Sequence, residues 1–200
     1  MKILAASDLH GDIQLVKRLA AKAEKEKVNL VILCGDITEN DDPPAGIIKQ
    51  FTDKGKKVML IPGNHESHAT VDFLAKLYNV YNLHGTGLML YDLGFFGCGA
   101  ANIGYNQLSE EEIFHNLKQG FSKVKDARKK IMLTHVHPSD SLIAKFTNFV
   151  PGSDGVRKAI DHFKPDILLC GHVHEAEGIE ENIGSTRVIN VVRNGKIIEL

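Results

Sequence analysis

Short runs of consecutive apolar, β-branched residues alternate along the chain with longer stretches in which apolar positions recur every three or four residues. The first pattern predicts strands and the second amphipathic helices. Lys2 to Ser7 reads as a strand, and residues 13–27 as a helix with Ile13, Val16, Leu19, Ala20 and Ala23 on one face. Val28 to Cys34 is a second strand, Ile47 to Lys54 a short helix, Lys57 to Ile61 a third strand and Val71 to Tyr78 a further helix. Strands with continuous apolar character suit a sheet buried on both faces, and the β-α-β-α-β order suits parallel pairing.

The middle of the chain changes character. Residues 85–104 hold six glycines around Leu88-Met89-Leu90-Tyr91 and Phe95-Phe96, which predicts antiparallel strands and tight turns. Ser109 and Glu112 have the spacing of a capping box, opening a polar helix that runs towards Lys130 with a weak point at Gly120. A second α/β round follows, with strand Ile131 to Thr134, helix Val156 to Phe163 and strand Asp166 to Cys170. The tail from Gly178 to Leu200 alternates and turns at Asn194-Gly195, a strong hairpin signal. Asp42, ahead of Pro43-Pro44, reads as the cap of a helix start. Parallel-type and hairpin-type strands together predict two packed sheets with helices outside. No repeat of fixed period and no linker divides the chain, so residues 1–200 are expected to form one domain.

Composition removes several functional classes. No apolar run approaches the length of a bilayer, and the apolar start of the chain ends at Ser7-Asp8. A cytoplasmic chain without a secretory signal is therefore expected. Three cysteines without C-x-x-C spacing are expected to be free thiols. Lys plus Arg is 24 against 25 Asp plus Glu, a net charge of −1, which argues against a general affinity for nucleic acid or anionic lipid. The ten histidines are the unusual feature.

Half of those histidines fall in short pieces that follow predicted strands: Asp8-Leu9-His10, Gly35-Asp36, Gly63-Asn64-His65-Glu66, His135, and Gly171-His172-Val173-His174. Loops at the carboxyl ends of strands converge on one sheet edge, where ligands bind in α/β proteins. Residues two apart in extended chain point the same way, so Asp8 with His10 and His172 with His174 are expected to act as two-toothed clamps. The glycines before Asp36, Asn64 and His172 are expected to allow a sharp exit from each strand. Carboxylates, an amide and imidazoles without thiolate suit first-row divalent ions such as manganese, iron or zinc. Seven such ligands exceed one tetrahedral site and suit two ions sharing a carboxylate.

In this order the five pieces resemble the calcineurin-like metallophosphoesterases, whose pattern is D-x-H, G-D-x-x-D/E, G-N-H-D/E, H and G-H-x-H. The matching pieces span residues 8–174. The resemblance implies an α/β fold, a four-layer αββα sandwich of two mixed β-sheets flanked by helices. It implies two divalent transition-metal ions, manganese first, with iron, zinc and nickel as alternatives. Asp8, His10, Asp36 and His174 would hold one ion, and Asp36, Asn64, His135 and His172 the other, with Asp36 as the bridge. His65 would be the catalytic residue beside the phosphate, stabilising the transition state or protonating the leaving oxygen. The implied activity is hydrolysis of small phosphate esters by in-line attack of a metal-bridging hydroxide, with a lean to diesters over monoesters. The alternatives are a catalytically idle scaffold for protein partners and a nuclease; a homo-oligomer is left open.

Two departures from the family pattern stand out. A proline pair often follows the fourth motif, but here the run is His135-Val136-His137-Pro138, and His137 shares a face with His135 as the alternative ligand. The tail often carries an N-P-G turn, of which Asn190-Val191-Val192 keeps only the asparagine. His68, His84, His115 and His162 read as ordinary hydrogen-bonding residues, and Cys34 and Cys170 as small buried hydrophobes. Lys123 to Lys130 reads as a solvated face. Loops 97–106 and 138–152 are where substrate discrimination is expected, with no role assigned to Asn102 or Tyr105.

Overall fold

The computed structural model describes residues 1–147 and 149–200; Asn148, within the 138–152 loop, lies outside them. In chain order the elements begin with β1 (Lys2–Ala6), α1 (Ile13–Lys25), β2 (Leu30–Cys34), α2 (Lys49–Thr52), β3 (Lys57–Ile61), α3 (His68–Tyr78) and β4 (Tyr81–Asn82). They continue with β5 (Thr86–Leu90), β6 (Leu93–Cys98), α4 (Glu110–Val124), β7 (Lys129–Thr134), α5 (Asp154–Phe163) and β8 (Ile167–Cys170). The tail contributes β9 (Glu180–Ile183), β10 (Thr186–Asn190) and β11 (Lys196–Glu199). The first sheet has the order β11-β1-β2-β3-β4 and the second β5-β6-β7-β8-β10-β9. Both are mixed: β1, β2, β3 and β4 run parallel with β11 opposed, and β6, β7, β8 and β10 run parallel between antiparallel β5 and β9.

Three apolar layers hold the sheets and helices together, and period-two alternation within each strand creates them. From β1, Leu4 and Ala6 face Val16, Leu19 and Ala20 of α1, while Ile3 and Ala5 enter the layer between the sheets. There they join Phe95, Ile131, Leu133 and Leu169 from the second sheet. On its far side Phe96, Met132, Leu168 and Val188 pack against Ile113 and Leu117 of α4 and Val156 and Ile160 of α5. A strand covered on both faces needs an apolar residue at every position, which is why these strands read as continuous runs. The αββα order expected from the sequence is the order observed.

Several local expectations need correction. The Asn194-Gly195 turn does not close a hairpin: β10 lies in the second sheet and β11 pairs with β1 in the first, so this turn carries the chain across the sandwich. The tail hairpin is β9–β10, turning through Gly184 at φ 59°. Asp42 caps no helix. Asn40 and Asp41 are left-handed, and the Asp41 carboxylate accepts from the Ser67 N–H at 2.6 Å, at the start of α3. The helix opened by the Ser109–Glu112 capping box ends at Val124, because Lys129 and Lys130 already pair with Leu93 and Gly94 of β6. Among the described residues, no helix is long and apolar enough to cross a membrane.

Gly120 does not weaken α4 in the way its helix propensity suggests. A Cβ there would sit 2.6 Å from the Thr86 carbonyl oxygen and 3.1 Å from Phe96 Cβ, so the glycine lets the helix lie directly on the sheet. Gly120→Ala should therefore destabilise the protein by about 1–3 kcal/mol through overpacking, although alanine ordinarily stabilises a helix interior by about 1 kcal/mol relative to glycine. A urea midpoint that rises in this variant would contradict the packing account.

Candidate metal centre

The parallel strands β1, β2, β3, β7 and β8 deliver the five predicted pieces to one edge of the sandwich. Cross-links between the emerging segments fix them: the Asp8 N–H donates to the Gly35 carbonyl at 3.0 Å, the His10 N–H to Asp36 at 2.9 Å, and the Gly171 N–H to His135 at 2.9 Å. Of the two expected clamps only Asp8 with His10 closes on one group; His174 joins Asp8 and His10 while His172 joins Asp36 and His135, and the segments are not extended chain. Asp8, His10, Asp36 and His172 adopt left-handed backbone, with φ of 57°, 44°, 49° and 71°, and His174 begins a 3₁₀ turn. Four non-glycine residues in that region cost about 1–3 kcal/mol each, and such conformations persist where surrounding structure over-determines them and function uses the result.

The glycines act through two different constraints. Gly35 has φ 90°, as a sharp exit requires. Gly63 and Gly171 do not have positive φ; instead, a Cβ at Gly63 would overlap the Asp36 carboxylate, and one at Gly171 the Ser7 hydroxyl. Their role is close approach of backbone to the buried carboxylates.

Three groups of ligand-type atoms gather here: Asp8 with His10 and His174, His10 with Asp36 and His65, and Asp36 with His135 and His172. Asp36 lies between them. Its Oδ2 is 3.3 Å from His135 Nε2, 3.7 Å from His10 Nε2 and 4.0 Å from His65 Nε2, while Oδ1 accepts the His65 N–H at 2.9 Å. Asp8 Oδ1 is 3.1 Å from His174 Nε2, and Oδ2 accepts the His172 N–H at 3.0 Å and pairs with the Ser7 hydroxyl. Asn64 Oδ1 lies 3.1 Å from His135 Nε2. All eight predicted site residues are thus brought to one place. His137 joins none of these groups: it is fully buried with both ring nitrogens unpartnered among the described residues, so His135 is the one facing Asp36.

Burial and charge explain the electrostatics. Asp8 and Asp36 are almost inaccessible, and burial alone pushes carboxyl pKa values up. Neighbouring imidazoles outweigh it: both carboxyls are held below the usual range, Asp36 chiefly by His135 and Asp8 chiefly by His174. Burial would lower His135, but the Asp36 and Asp8 charges hold it well above the ordinary value. His172, buried beside that cationic ring, is pushed down to about 3. Proton and carboxylate thus compensate one another where a divalent cation would otherwise supply the charge.

Hydrogen bonds also set which nitrogen each ring presents. His135 Nδ1–H donates to the Cys34 carbonyl at 2.9 Å, which leaves Nε2 facing Asp36 and Asn64. Glu39 does the same for two rings, accepting from His10 Nδ1–H at 2.8 Å and His65 Nδ1–H at 2.9 Å. A partner on the far nitrogen is the usual support for a ligating imidazole. The donor set fits first-row divalent ions on its chemistry. A second observation agrees: His172 Nε2 is buried without a hydrogen-bond partner among the described residues.

Reading the motifs for ligands misses the two glutamates that hold the arrangement. Glu39 is the last residue of G-D-x-x-E and Glu66 the last of G-N-H-E, so both had a positional signal. The Glu66 carboxylate accepts from the N–H groups of Gly63 at 2.7 Å, Thr38 at 3.1 Å and Ile37 at 3.3 Å, tying the Asp36 segment to the Asn64 segment. Asn190 supports the last motif, its amide donating to the Val173 carbonyl at 3.0 Å. The remaining histidines lie elsewhere: His68 beside His84, His115 against Gln119 and His162 against Phe114. Asn102 faces Glu110 and the Gly152 carbonyl.

A family profile described as calcineurin-like phosphoesterase matches residues 1–176. No curated protein matches the chain. Among solved structures, a Thermus thermophilus protein has a TM-score of 0.77 at 17% identity, covering 96% of this chain and 89% of its own. An archaeal phosphodiesterase has a TM-score of 0.58 at 19% identity over 96% of this chain and 84% of its own. A dimetal phosphatase from Danio rerio has 0.62 at 11% identity, covering 95% and 86%. At these identities the likeness is one of fold.

Glu66 gives a test of this architecture that needs no metal. Burial first, and the Asp36 charge second, push its carboxyl up to about 7. Between about pH 4.5 and 7 the folded protein keeps a proton that the unfolded chain has released. This group therefore makes the metal-stripped protein lose stability as pH rises through that window, the reverse of the sign for Asp8 and Asp36 at lower pH. Denaturant midpoints measured from pH 5 to 8 should fall more steeply for the unaltered protein than for Glu66→Gln. Parallel curves would contradict the assignment.

Proposed function

Since this chain belongs to the calcineurin-like phosphoesterase family, we propose that it hydrolyses small phosphate esters, diesters ahead of monoesters, at a centre of two divalent ions. Asp8, His10, Asp36 and His174 hold one ion and Asp36, Asn64, His135 and His172 the other; manganese is the first choice. Bound there, the ions would supply a nucleophilic water at neutral pH and neutralise charge on the phosphoryl oxygens. The single observation that carries this reading is the position of the Asp36 carboxylate between the two ligand groups, within 3.3 Å of His135 and 3.7 Å of His10.

The chain's own groups do the rest. His65 is one-quarter exposed at the mouth of the centre, and Glu39 holds its Nδ1–H, so Nε2 faces the ester. The Nε2–H of the protonated ring donates to the leaving oxygen, which departs as an alcohol. Glu39 also holds His10, so a single carboxylate sets a ligand and the acid together. Arg193 reaches this region, but Asp12 engages it at 3.3 Å. Cys34, Cys98 and Cys170 are free and buried, which supports a reducing, cytoplasmic setting.

Stripped protein reloaded with manganese should hydrolyse bis(p-nitrophenyl) phosphate faster than p-nitrophenyl phosphate, and stripping should abolish both activities. Asp36→Asn should lose bound metal and turnover together. His65→Ala should keep its metal and lose about 10²–10⁴ in kcat. Undiminished hydrolysis by Asp36→Asn would overturn the two-ion reading, and an unaltered protein that neither takes up metal nor hydrolyses either ester would leave the scaffold alternative.

A further inference from the structure

The loop after β6 places an aromatic ring where the proposed chemistry does not need one. Tyr105 is 83% exposed, yet its ring lies edge-on to His65 with centroids 6.5 Å apart. The backbone that carries it is tied down on both sides. The Ala100 N–H donates to the Pro62 carbonyl at 2.9 Å and the Leu108 N–H to Ala101 at 2.8 Å. Asn106 donates twice to the Asn64 carbonyl, from its N–H at 3.3 Å and from Nδ2 at 3.1 Å. Gly104, at φ 101°, lies against the Asn64 side chain, where a Cβ would come within 3.1 Å of Nδ2. The same residues that fasten the loop to the ligand Asn64 therefore hold the exposed ring beside His65.

An exposed tyrosine on a loop already ordered by other bonds presents a flat apolar face at little further entropic cost. Such faces bind planar rings by stacking, and bases stack on them without regard to sequence. The Tyr105 ring centre lies 6.5 Å from that of His65, whose Nε2 is itself 4.0 Å from the Asp36 carboxylate. A phosphate held at that carboxylate with its ring on Tyr105 has the His65 ring alongside the connecting group, and the base of a nucleoside is separated from its phosphate by a ribose that can fill that place. We infer that Tyr105 is the stacking platform for the base of a nucleoside phosphate ester, a substrate class within the phosphoesterase reading on which this inference rests. The phenol ring does the work, and its hydroxyl is dispensable.

Non-hydrolysable phosphonates test this without turnover. Calorimetric titration of manganese-loaded protein compares adenosine 5′-methylenephosphonate with the ribose analogue that lacks the base, and phenylphosphonate with methylphosphonate. The adenosine compound should bind about tenfold more tightly than its ribose counterpart. That ratio should persist in Tyr105→Phe and fall to near one in Tyr105→Ala, with equal metal content in all three proteins. A ratio near one in the unaltered protein, or one that survives in Tyr105→Ala, overturns the inference and leaves the phosphoesterase reading standing. A phenyl preference lost in Tyr105→Ala, without an adenosine preference, replaces the nucleoside with a short aryl ester. Failure of every phosphonate to bind the metal-loaded protein overturns the inference, and if neither nitrophenyl ester is hydrolysed either, the phosphoesterase reading falls with it.

Discussion

Two carboxylates, Asp8 and Asp36, are buried at the shared edge of two sheets, and among the described residues their close partners are imidazoles and backbone N–H groups, with the Ser7 hydroxyl on Asp8. A buried carboxylate is costly unless paired and hydrogen-bonded, and removing one partner leaves an uncompensated charge. The surrounding structure answers that constraint. Left-handed turns aim the carboxylates inward, Gly63 and Gly171 let backbone close around them, and His135 and His174 balance their charge. The four-layer core holds the five emerging segments in register so that these pairings coincide.

The same constraint explains why the outer partners matter. An imidazole that compensates a carboxylate must present a chosen nitrogen, and a hydrogen bond at the opposite nitrogen makes the choice. The Cys34 carbonyl does so for His135, and Glu39 for His10 and His65. Glu66 works one step further out, gathering N–H groups from two segments so that Asp36 and Asn64 cannot drift apart. Stability and chemistry are therefore coupled here: loosening an outer carboxylate changes both the protonation of the centre and its geometry.

Much of the fold was legible because its physical causes are local. Strands such as Leu30–Cys34 and Lys57–Ile61 announce themselves by unbroken apolar runs, which follow from burial on both faces. The candidate site residues were legible because each lies just after such a strand. Other features depend on contacts distant in sequence. The Asn194-Gly195 turn has the local chemistry of a hairpin, but pairing with β1 draws β11 into the other sheet. Strand β4 is two residues long and exists only as a neighbour of β3. Gly120 reads as a weak helix residue until Thr86 is placed against it. Glu39 and Tyr105 gain meaning only when folding sets them beside His65.

In the proposed function Asp36 joins two ion sites into one centre. Anomalous diffraction from crystals of the manganese-loaded protein tests it most directly. The account predicts two peaks about 3.5–4 Å apart, with the Asp36 carboxylate between them, Asp8 and His174 beside one and His135 and His172 beside the other. One peak alone, or two that do not share Asp36, would contradict it.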